Sequence, residues 1–419
     1  MDRDRAPRFP RLARMWQRVG PAVIVILIFA GLTLGITYPV VTRLDSMAQN
    51  PAWSHDAFHH AYVLWWFEKA LLDFHASPAD LRLIHFPTGG YYPLLLTYST
   101  VYLPGLPLLL FLSPTATYNV LFLLTFFLSG LSGYALCAHV TRNRWAGLLG
   151  GIVYAFFPGR MAHALSGHLE LLSIYLFPLY LLLLIETVHR PRLMTSLFCG
   201  LTLAASLLVQ PLFIPFLLVP VTFVWLLYEV LVLHRRIERR ALLSLAGTFS
   251  LAALLAAPFF WPALHEQIRG QGRYLQAPGV VMYSADLLGI VSPAPSNPLL
   301  STLGLIPSYA RHVLPTYRSI RESLTYAGIV PLALAAIAFY GRRRRVGAWV
   351  LLALGAALLS LGPLQKPGTT GPLAGYPSLQ NYTSTLPASR RARFASRRCL
   401  SSPRSGSRSR STAPRCRRW

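Results

Sequence analysis

The stretch TYNVLFLLTFFLSGLSGYALCAHV at residues 117–140 determines the fold class of this protein. It contains no Asp, Glu, Lys or Arg, and it is longer than the roughly 20 residues that a helix needs to cross a bilayer. Its apolar residues do not alternate with polar ones, as they would in a strand of a membrane barrel. Because backbone polar groups must be paired within lipid, the stretch predicts a transmembrane helix.

Similar apolar runs extend along the chain on both sides of this stretch. They lie at 19–42, 146–163, 170–188, 193–209, 212–233, 241–262, 324–341 and 346–362, and a proline-broken run lies at 93–112. The chain is 54% hydrophobic and only 13% charged, whereas soluble proteins carry about 25% charged residues. We therefore predict an all-α fold, a polytopic transmembrane helical bundle of about 9–10 spans, with two large outer loops at 43–92 and 263–323.

The distribution of arginine predicts the orientation of this bundle. Residues 1–18 are rich in Arg and are predicted to be cytoplasmic, and the apolar run after them is too long for a signal-peptide core. We therefore expect a retained signal anchor in the cytoplasmic membrane. If only one of the runs 93–112 and 117–140 crosses, four later Arg clusters all become cytoplasmic. Because proline disfavours helix interiors, we assign 93–112 as re-entrant or interfacial; the alternative is that it crosses as a kinked helix.

The end of the chain departs from this pattern. We predict a linker at 364–387 after a transmembrane domain at 19–363, and then an Arg/Ser-rich tail at 388–419. The tail is interpreted either as a disordered basic segment that binds anionic lipid or RNA, or as GC-rich coding sequence read in a shifted frame, which we favour. Eleven of the arginines behind the net charge of +25 lie in this tail. Most of the others lie at helix ends, so we expect no nucleic-acid partner.

The first outer loop carries NPAWSHDAFHHAYVLWW at residues 50–66, where one carboxylate lies among three histidines. Ionisable residues beside a membrane helix are costly without a partner or a function, and we predict Asp56 as the catalytic residue. Spacings of i+3 and i+4 connect Asp56 with His59 and His60, and His55 with His59. A divalent metal bound by these histidines is therefore one option. The other is an interfacial amphipathic helix whose histidines face lipid headgroups.

A second polar turn, FFPGRMAHALSGHLELL at residues 156–172, lies on the same predicted side of the membrane. We predict that Arg160, His163, His168 and Glu170 bind substrate, because Arg and His suit an anionic group such as a phosphate. The alternative is that Arg160 extends to the lipid headgroups and the histidines cap helix ends.

Two further sets of residues are candidates for substrate binding. In the stretch HFPTGGYYP at residues 85–93, we predict that Tyr91 and Tyr92 line a sugar or lipid site. The alternative is an ordinary turn whose tyrosines lie at the membrane interface. The second outer loop carries Arg269 and Arg273, which we predict to contact a phosphate. A loop of this length is usually functional or disordered.

Several classes of chemistry lack their sequence motifs. The sequence contains no Walker A, GxGxxG, GxSxG or HExxH motif, so nucleotide-driven, nucleotide-cofactor and zinc-protease chemistry has no support. The predicted helices also contain few charged residues, which disfavours an ion-coupled transporter.

The order of these features resembles a known superfamily. The chain resembles the GT-C integral-membrane glycosyltransferases in the order of four features. These are one helix with a cytoplasmic start, a large outer loop with an acidic residue near its beginning, a Pro/Tyr-rich entry into the next apolar run, and then many helices. The resemblance covers about residues 15–363. The stretches at 155–172 and 283–300, and RARF at 391–394, are similar to uncharacterised bacterial members.

The resemblance implies a function. It implies transfer of a sugar from a polyprenyl-phosphate carrier to a cell-envelope or lipid acceptor on the outer face of the membrane. Asp56 would be the base, and Arg160 and an Arg of the second outer loop would hold the phosphate. Members often carry two adjacent acids, whereas His55 precedes Asp56 here. The alternative is a non-catalytic membrane protein, either a flippase-like transporter or an assembly protein of envelope polysaccharide.

Cysteine-accessibility labelling tests the predicted orientation. In variants carrying Asn143→Cys or Gly167→Cys, we expect a membrane-impermeant thiol reagent to label position 167 from outside and to leave position 143 unlabelled. Equal outside labelling at both positions would contradict the assignment of 93–112 as a segment that does not cross.

Overall fold

Helices make up most of the chain in the computed structural model, which describes residues 10–46, 55–83, 87–270, 290–293, 298–304 and 326–360. Within these residues there is no strand, and one isolated bridge joins Asp80 and Tyr91. The prediction of an all-α fold is therefore confirmed for the described part of the chain. The predicted linker and tail lie outside it.

The principal helices are α1 (Pro10–Ile36), α2 (His55–Glu68), α3 (Pro114–Thr141), α4 (Arg144–Phe156), α5 (Pro158–Ser166), α6 (Leu169–Leu172), α7 (Leu176–His189), α8 (Leu193–Leu207), α9 (Val219–Leu231), α10 (Arg239–Ile268) and α11 (Ile329–Ser360).

Among the described residues, four helical stretches are long and apolar enough to cross a membrane, judged by length and composition. They are Pro114–Thr141, Leu169–His189, Ile214–Leu231 and Arg239–Ile268. Shorter apolar helices of 10–17 residues accompany them in the described chain. Many large apolar side chains on these helices are exposed in the isolated chain, which is the surface expected of a membrane protein. The number of spans and their orientation stay predictions.

The proline-broken run is irregular, in agreement with the effect expected of its prolines. Whether it crosses the membrane stays a prediction. Residues 93–109 form short 3-10 and α-helical turns that change every three to six residues. The segment contacts the end of α8, where the amide of Thr100 donates to the carbonyl oxygen of Leu208 at 3.1 Å. The Thr100 hydroxyl donates to the carbonyl oxygen of Ala205 at 2.8 Å. These contacts give polar groups of a broken segment partners from a neighbouring helix.

Two predicted boundaries were wrong. The run at 146–163 is divided at Phe157, which is extended (φ −65°, ψ 150°) because Pro158 disfavours the helical conformation of the residue before it. At the other end of the chain, the two spans predicted at 324–341 and 346–362 form the single helix α11. Arg is a good helix former, so a run of four arginines does not by itself end a helix. That cluster therefore does not mark a loop.

Close packing of small residues holds α1, α3 and α4 together. The fully buried ring of Phe29 from α1 fills the space beside Gly130 of α3. Its Cζ atom would lie 2.6 Å from a Cβ atom at Gly151 of α4. Glycines at contact points let apolar helices approach closely, as they commonly do in membrane proteins.

Substitution of Gly130 by alanine tests this packing. A Cβ atom at this position would overlap the Phe29 ring, and overpacking typically costs about 1–3 kcal/mol. We expect Gly130→Ala to lower the thermal unfolding midpoint of the detergent-solubilised protein. The matched control is Gly247→Ala in α10, where the new Cβ would meet no described atom within 4 Å beyond its chain neighbours and its own helix backbone. Equal midpoints for the two variants would contradict the packing.

Candidate functional site

A polar pocket lies where α2 meets the α5–α6 turn and the broken segment 93–109. Its volume is about 200 Å³. The lining residues are Asp56, His59, His60, Tyr92, Leu95, Tyr98, Tyr102, His168 and Glu170. The pocket thus combines carboxylates, imidazoles and phenols from three separate parts of the chain, and we refer to it as the site pocket.

A chain of hydrogen-bonding groups leads from Asp56 into the protein. Nε2 of His168 lies 2.6 Å from Oδ2 of Asp56, and Nδ1 of His168 lies 3.2 Å from Nδ1 of His163. The Asp56 side chain is 51% exposed and that of His168 only 10%. The carboxylate at the pocket is therefore oriented from behind by a nearly buried imidazole.

The turn between α5 and α6 places His168 in this position. Gly167 ends α5 in the left-handed conformation (φ +81°), which glycine adopts at little steric cost. The Tyr118 hydroxyl of α3 donates to the carbonyl oxygen of Gly167 at 3.0 Å. The sequence Ser-Gly-His therefore reverses the chain direction at a point that α3 fixes.

His60 connects the second carboxylate to the broken segment. Its Nδ1 lies 2.7 Å from the hydroxyl oxygen of Tyr102, and its Nε2 lies 2.7 Å from Oε2 of Glu170. His60 is 4% exposed. Oε2 of Glu170 is itself buried, so the imidazole of His60 is its close partner within the described part of the chain.

The protonation of the site follows from these contacts. A hydrogen bond from His168 lowers the pKa of Asp56, and nearby histidines add to this effect against the opposing effect of partial burial. Burial lowers the pKa of His59, and burial together with His168 lowers the pKa of His163 to about 4. The surroundings therefore do not make Asp56 a stronger base than a free carboxylate, because the carboxylate is half-exposed and hydrogen-bonded.

The two predicted tyrosines lie on different surfaces. Tyr92 lines the site pocket, whereas Tyr91 lines a wider hollow of about 720 Å³ together with Asp80, Arg82 and Gly89. Successive residues of an extended chain point to opposite sides, and the backbone here is held extended by the pairing of Tyr91 with Asp80. Only Tyr92 therefore joins the other candidates.

Arg160 is not among the described residues that line the site pocket. It is 1% exposed, and its guanidinium carbon lies 4.6 Å from the ring centroid of Phe126. One Nη2 hydrogen is donated to the carbonyl oxygen of Leu172 at 2.8 Å, while Nε and Nη1 have no hydrogen-bond partner among the residues that the structure describes. Arg160 thus joins α5 to the end of α6 and packs on an aromatic ring of α3.

The remaining candidates are dispersed. His163 is not among the described lining residues of the pocket and contacts His168, which is. Arg269 is exposed at the end of α10, and Arg273 and the His55 side chain lie outside the described residues. Within the described chain, no three His, Cys, Asp or Glu side chains are arranged to hold a metal ion.

Two further tyrosines of the pocket, Tyr98 and Tyr102, were not predicted from the sequence. Tyr98 donates a hydrogen bond to Oε1 of Gln210 at 3.3 Å, and Tyr102 contacts His60. Their spacing of four residues in YSTVY was the available signal. The prolines of 93–112 indicated an interfacial segment and not a wall of the site.

Comparison with known proteins identifies the family. The family described as "Domain of unknown function (DUF6311)" matches residues 107–394, more than half of the chain, and the chain belongs to this family. No curated protein matches the sequence. The matched region includes His168 and Glu170, whereas Asp56 and His60 precede it.

The low pKa of His163 predicts a pH dependence of stability. In the unfolded chain this residue has its ordinary pKa of 6.5, whereas in the folded chain its pKa is lowered to about 4. Between these values the unfolded state binds more protons, so the folded state loses stability as the pH falls. We expect His163→Asn to flatten this part of the curve of unfolding midpoint against pH.

The matched control is His75→Asn, at an exposed histidine outside the chain of contacts. Asparagine tolerates the left-handed backbone that His75 adopts (φ +48°). An unchanged curve for the His163 variant, or equal flattening in both variants, would contradict the prediction.

Proposed function

We propose that this member of the DUF6311 family is a membrane glycosyltransferase. It moves a sugar from a polyprenyl-phosphate carrier to a cell-envelope or lipid acceptor on the outer face of the cytoplasmic membrane. The observation that carries the proposal is the site pocket, where Asp56, oriented by His168, lies beside Glu170 and three tyrosines. Carboxylates that accept from hydroxyl groups, together with aromatic walls, suit a carbohydrate.

The reaction follows from the position of Asp56. Its carboxylate accepts the proton of an acceptor hydroxyl, whose oxygen forms a bond to the anomeric carbon of the donor sugar. The bond from that carbon to the phosphate oxygen breaks, and the carrier phosphate leaves with the electron pair. A single displacement of this kind inverts the anomeric configuration. The His168 imidazole holds the Asp56 carboxylate in one orientation throughout.

The phosphate requires a cationic partner outside the described lining of the pocket. Arg160 packs against Phe126 and Leu172 and does not line it. Arg269 and Arg273 are therefore the candidates from the second outer loop. The proposal includes the orientation argued from arginine, with a cytoplasmic amino terminus and several membrane spans. The four long apolar helices support a location in a membrane.

Replacement of Asp56 tests the proposal. We expect Asp56→Asn to reduce transfer of radiolabelled sugar from polyprenyl-phosphate carriers by about 100-fold or more, because general-base catalysis contributes about 10²–10⁴-fold. The assay uses membranes that contain equal amounts of inserted protein.

The matched control is Asp73→Asn, which removes an exposed carboxylate that pairs with Lys69 at 2.9 Å. This variant is expected to retain wild-type transfer. Retained transfer in Asp56→Asn would remove Asp56 from the reaction and would favour the non-catalytic alternative.

A further inference from the structure

A second pocket lies at the end of α3 that points away from the site pocket. Its polar and indole-bearing lining residues are His139, Arg142, His189, Trp225, Glu229 and Trp349. They come from the ends of α3, α7 and α9 and from the middle of α11, and we refer to this cavity of about 180 Å³ as the end pocket. At the other end of α3, Tyr118 contacts the turn beside the site pocket. Because a helix rises about 1.5 Å per residue, the two pockets lie about 30 Å apart along α3.

The charged groups of the end pocket leave one arginine without an acidic partner. Glu229 is almost buried and already has two partners, Nε2 of His189 at 3.2 Å and Nη1 of Arg235 at 3.4 Å. Arg142 is exposed, and within the described chain no acidic side chain pairs with it. Its guanidinium therefore gives the end pocket a positive charge and hydrogen-bond donors for an anion.

Arg142 is held in an unusual backbone conformation. It ends α3 with a φ of +57°, a left-handed conformation that glycine or asparagine usually adopts at the end of a helix. Asn143 caps α4 immediately afterwards, where its Oδ1 accepts from the amide of Trp145 at 2.8 Å. Strained backbone of this kind is concentrated at functional sites. The arginine thus lines the end pocket from a turn whose geometry is fixed on both sides.

Helix α11 adds aromatic and small residues to the wall. Gly347 lets α11 approach α9 closely, since a Cβ atom at this position would overlap the hydroxyl group of Tyr228. The next two residues, Ala348 and Trp349, line the end pocket together with Trp225. Tryptophan is typical of the level at which membrane helices meet the lipid headgroups. The wall therefore combines a cationic group with rings suited to the boundary between headgroups and acyl chains.

The surroundings of the end pocket favour a lipid over a soluble anion. At the helix ends around it, residues 139–144, 186–192 and 229–240 contain eight arginines and three glutamates. Val140 and Leu233 line the pocket and are 42% and 39% exposed, so its rim is apolar as well as basic. A basic pocket between membrane helices suits a phospholipid, whose phosphate meets the arginine while its acyl chains stay in the bilayer. A soluble phosphate would leave the apolar rim uncovered.

We infer that the end pocket binds the phosphate group of an anionic phospholipid, with Arg142 as its principal partner. The imidazoles of His139 and His189 already contact glutamates at 3.1 and 3.2 Å, so the arginine and not the histidines carries the binding. On the orientation predicted from arginine, this lipid belongs to the cytoplasmic leaflet. The inference requires a membrane around the helices and no step of the proposed reaction.

Thermal unfolding of the full chain in detergent tests the inference. The ligands are dihexanoylphosphatidylglycerol, dihexanoylphosphatidylcholine and glycerol phosphate, each titrated below the concentration at which the lipids form micelles. A ligand that binds the folded state raises the unfolding midpoint, and the concentration dependence gives its dissociation constant. We expect phosphatidylglycerol to bind at least about tenfold more tightly than the other two. The ammonium group of phosphatidylcholine cancels the charge of its phosphate, and glycerol phosphate lacks acyl chains.

A pair of asparagine variants locates the binding. Arg142→Asn removes the guanidinium, and asparagine tolerates the left-handed backbone at this position. We expect it to weaken binding of phosphatidylglycerol by about tenfold or more, the contribution of a hydrogen bond to a charged group. The matched control is Arg192→Asn at the N-cap of α8, where asparagine is favoured. Arg192 is outside the described lining, and the control is expected to keep the wild-type affinity.

The outcomes decide between a site and a general attraction of anions to a basic surface. Equal weakening by Arg142→Asn and Arg192→Asn would overturn the site. Binding of phosphatidylcholine or glycerol phosphate as tightly as phosphatidylglycerol would overturn the assignment to an anionic lipid. If Arg142→Asn does not fold, the ranking of the three ligands on the wild-type protein decides. Sugar transfer by Asp56→Asn tests the proposed function separately, because Asp56 lies at the site pocket.

Discussion

The contact between Asp56 and His168 is the interaction on which the organisation of the site depends. It joins residues 112 positions apart in the sequence and holds the first turn of α2 against the α5–α6 turn. Each partner is specified locally: Asp56 by its place in the first turn of α2, and His168 by the left-handed Gly167 that precedes it. Because the imidazole is nearly buried and the carboxylate is half-exposed, the pair presents a fixed acceptor to the pocket.

Regular periodicity and composition predicted the parts of the fold that depend on local physics. The all-α class followed from long apolar runs such as 117–140, and the irregular geometry of 93–109 followed from its prolines. Boundaries that depend on competing local preferences were less predictable. Pro158 divided one expected span, whereas the arginines of α11 failed to divide another, because proline removes a backbone donor and arginine does not.

The site was predictable in its residue types more than in its geometry. Charge and proximity in the sequence nominated Asp56, His168 and Glu170, which the structure places around one pocket. The same reasoning nominated Arg160, yet its direction depends on the packing of α5 on α3, with its head group over Phe126. A sequence shows which residues are charged, but whether a charge faces a cavity or an aromatic ring is decided by tertiary contacts.

The hydrophobic core beneath the pocket joins α2, which precedes the region of the family match, to α3, which lies within it. Leu64 and Phe67 of α2 share one hydrophobic cluster with Tyr118 and Phe122 of α3, and all four are almost fully buried. The region that the family match covers begins at residue 107, and therefore after α2. A chain cut at that boundary would expose the α3 side of this cluster to solvent or lipid. The packed core is consequently larger than the segment that the family match covers, and α2 belongs to this core.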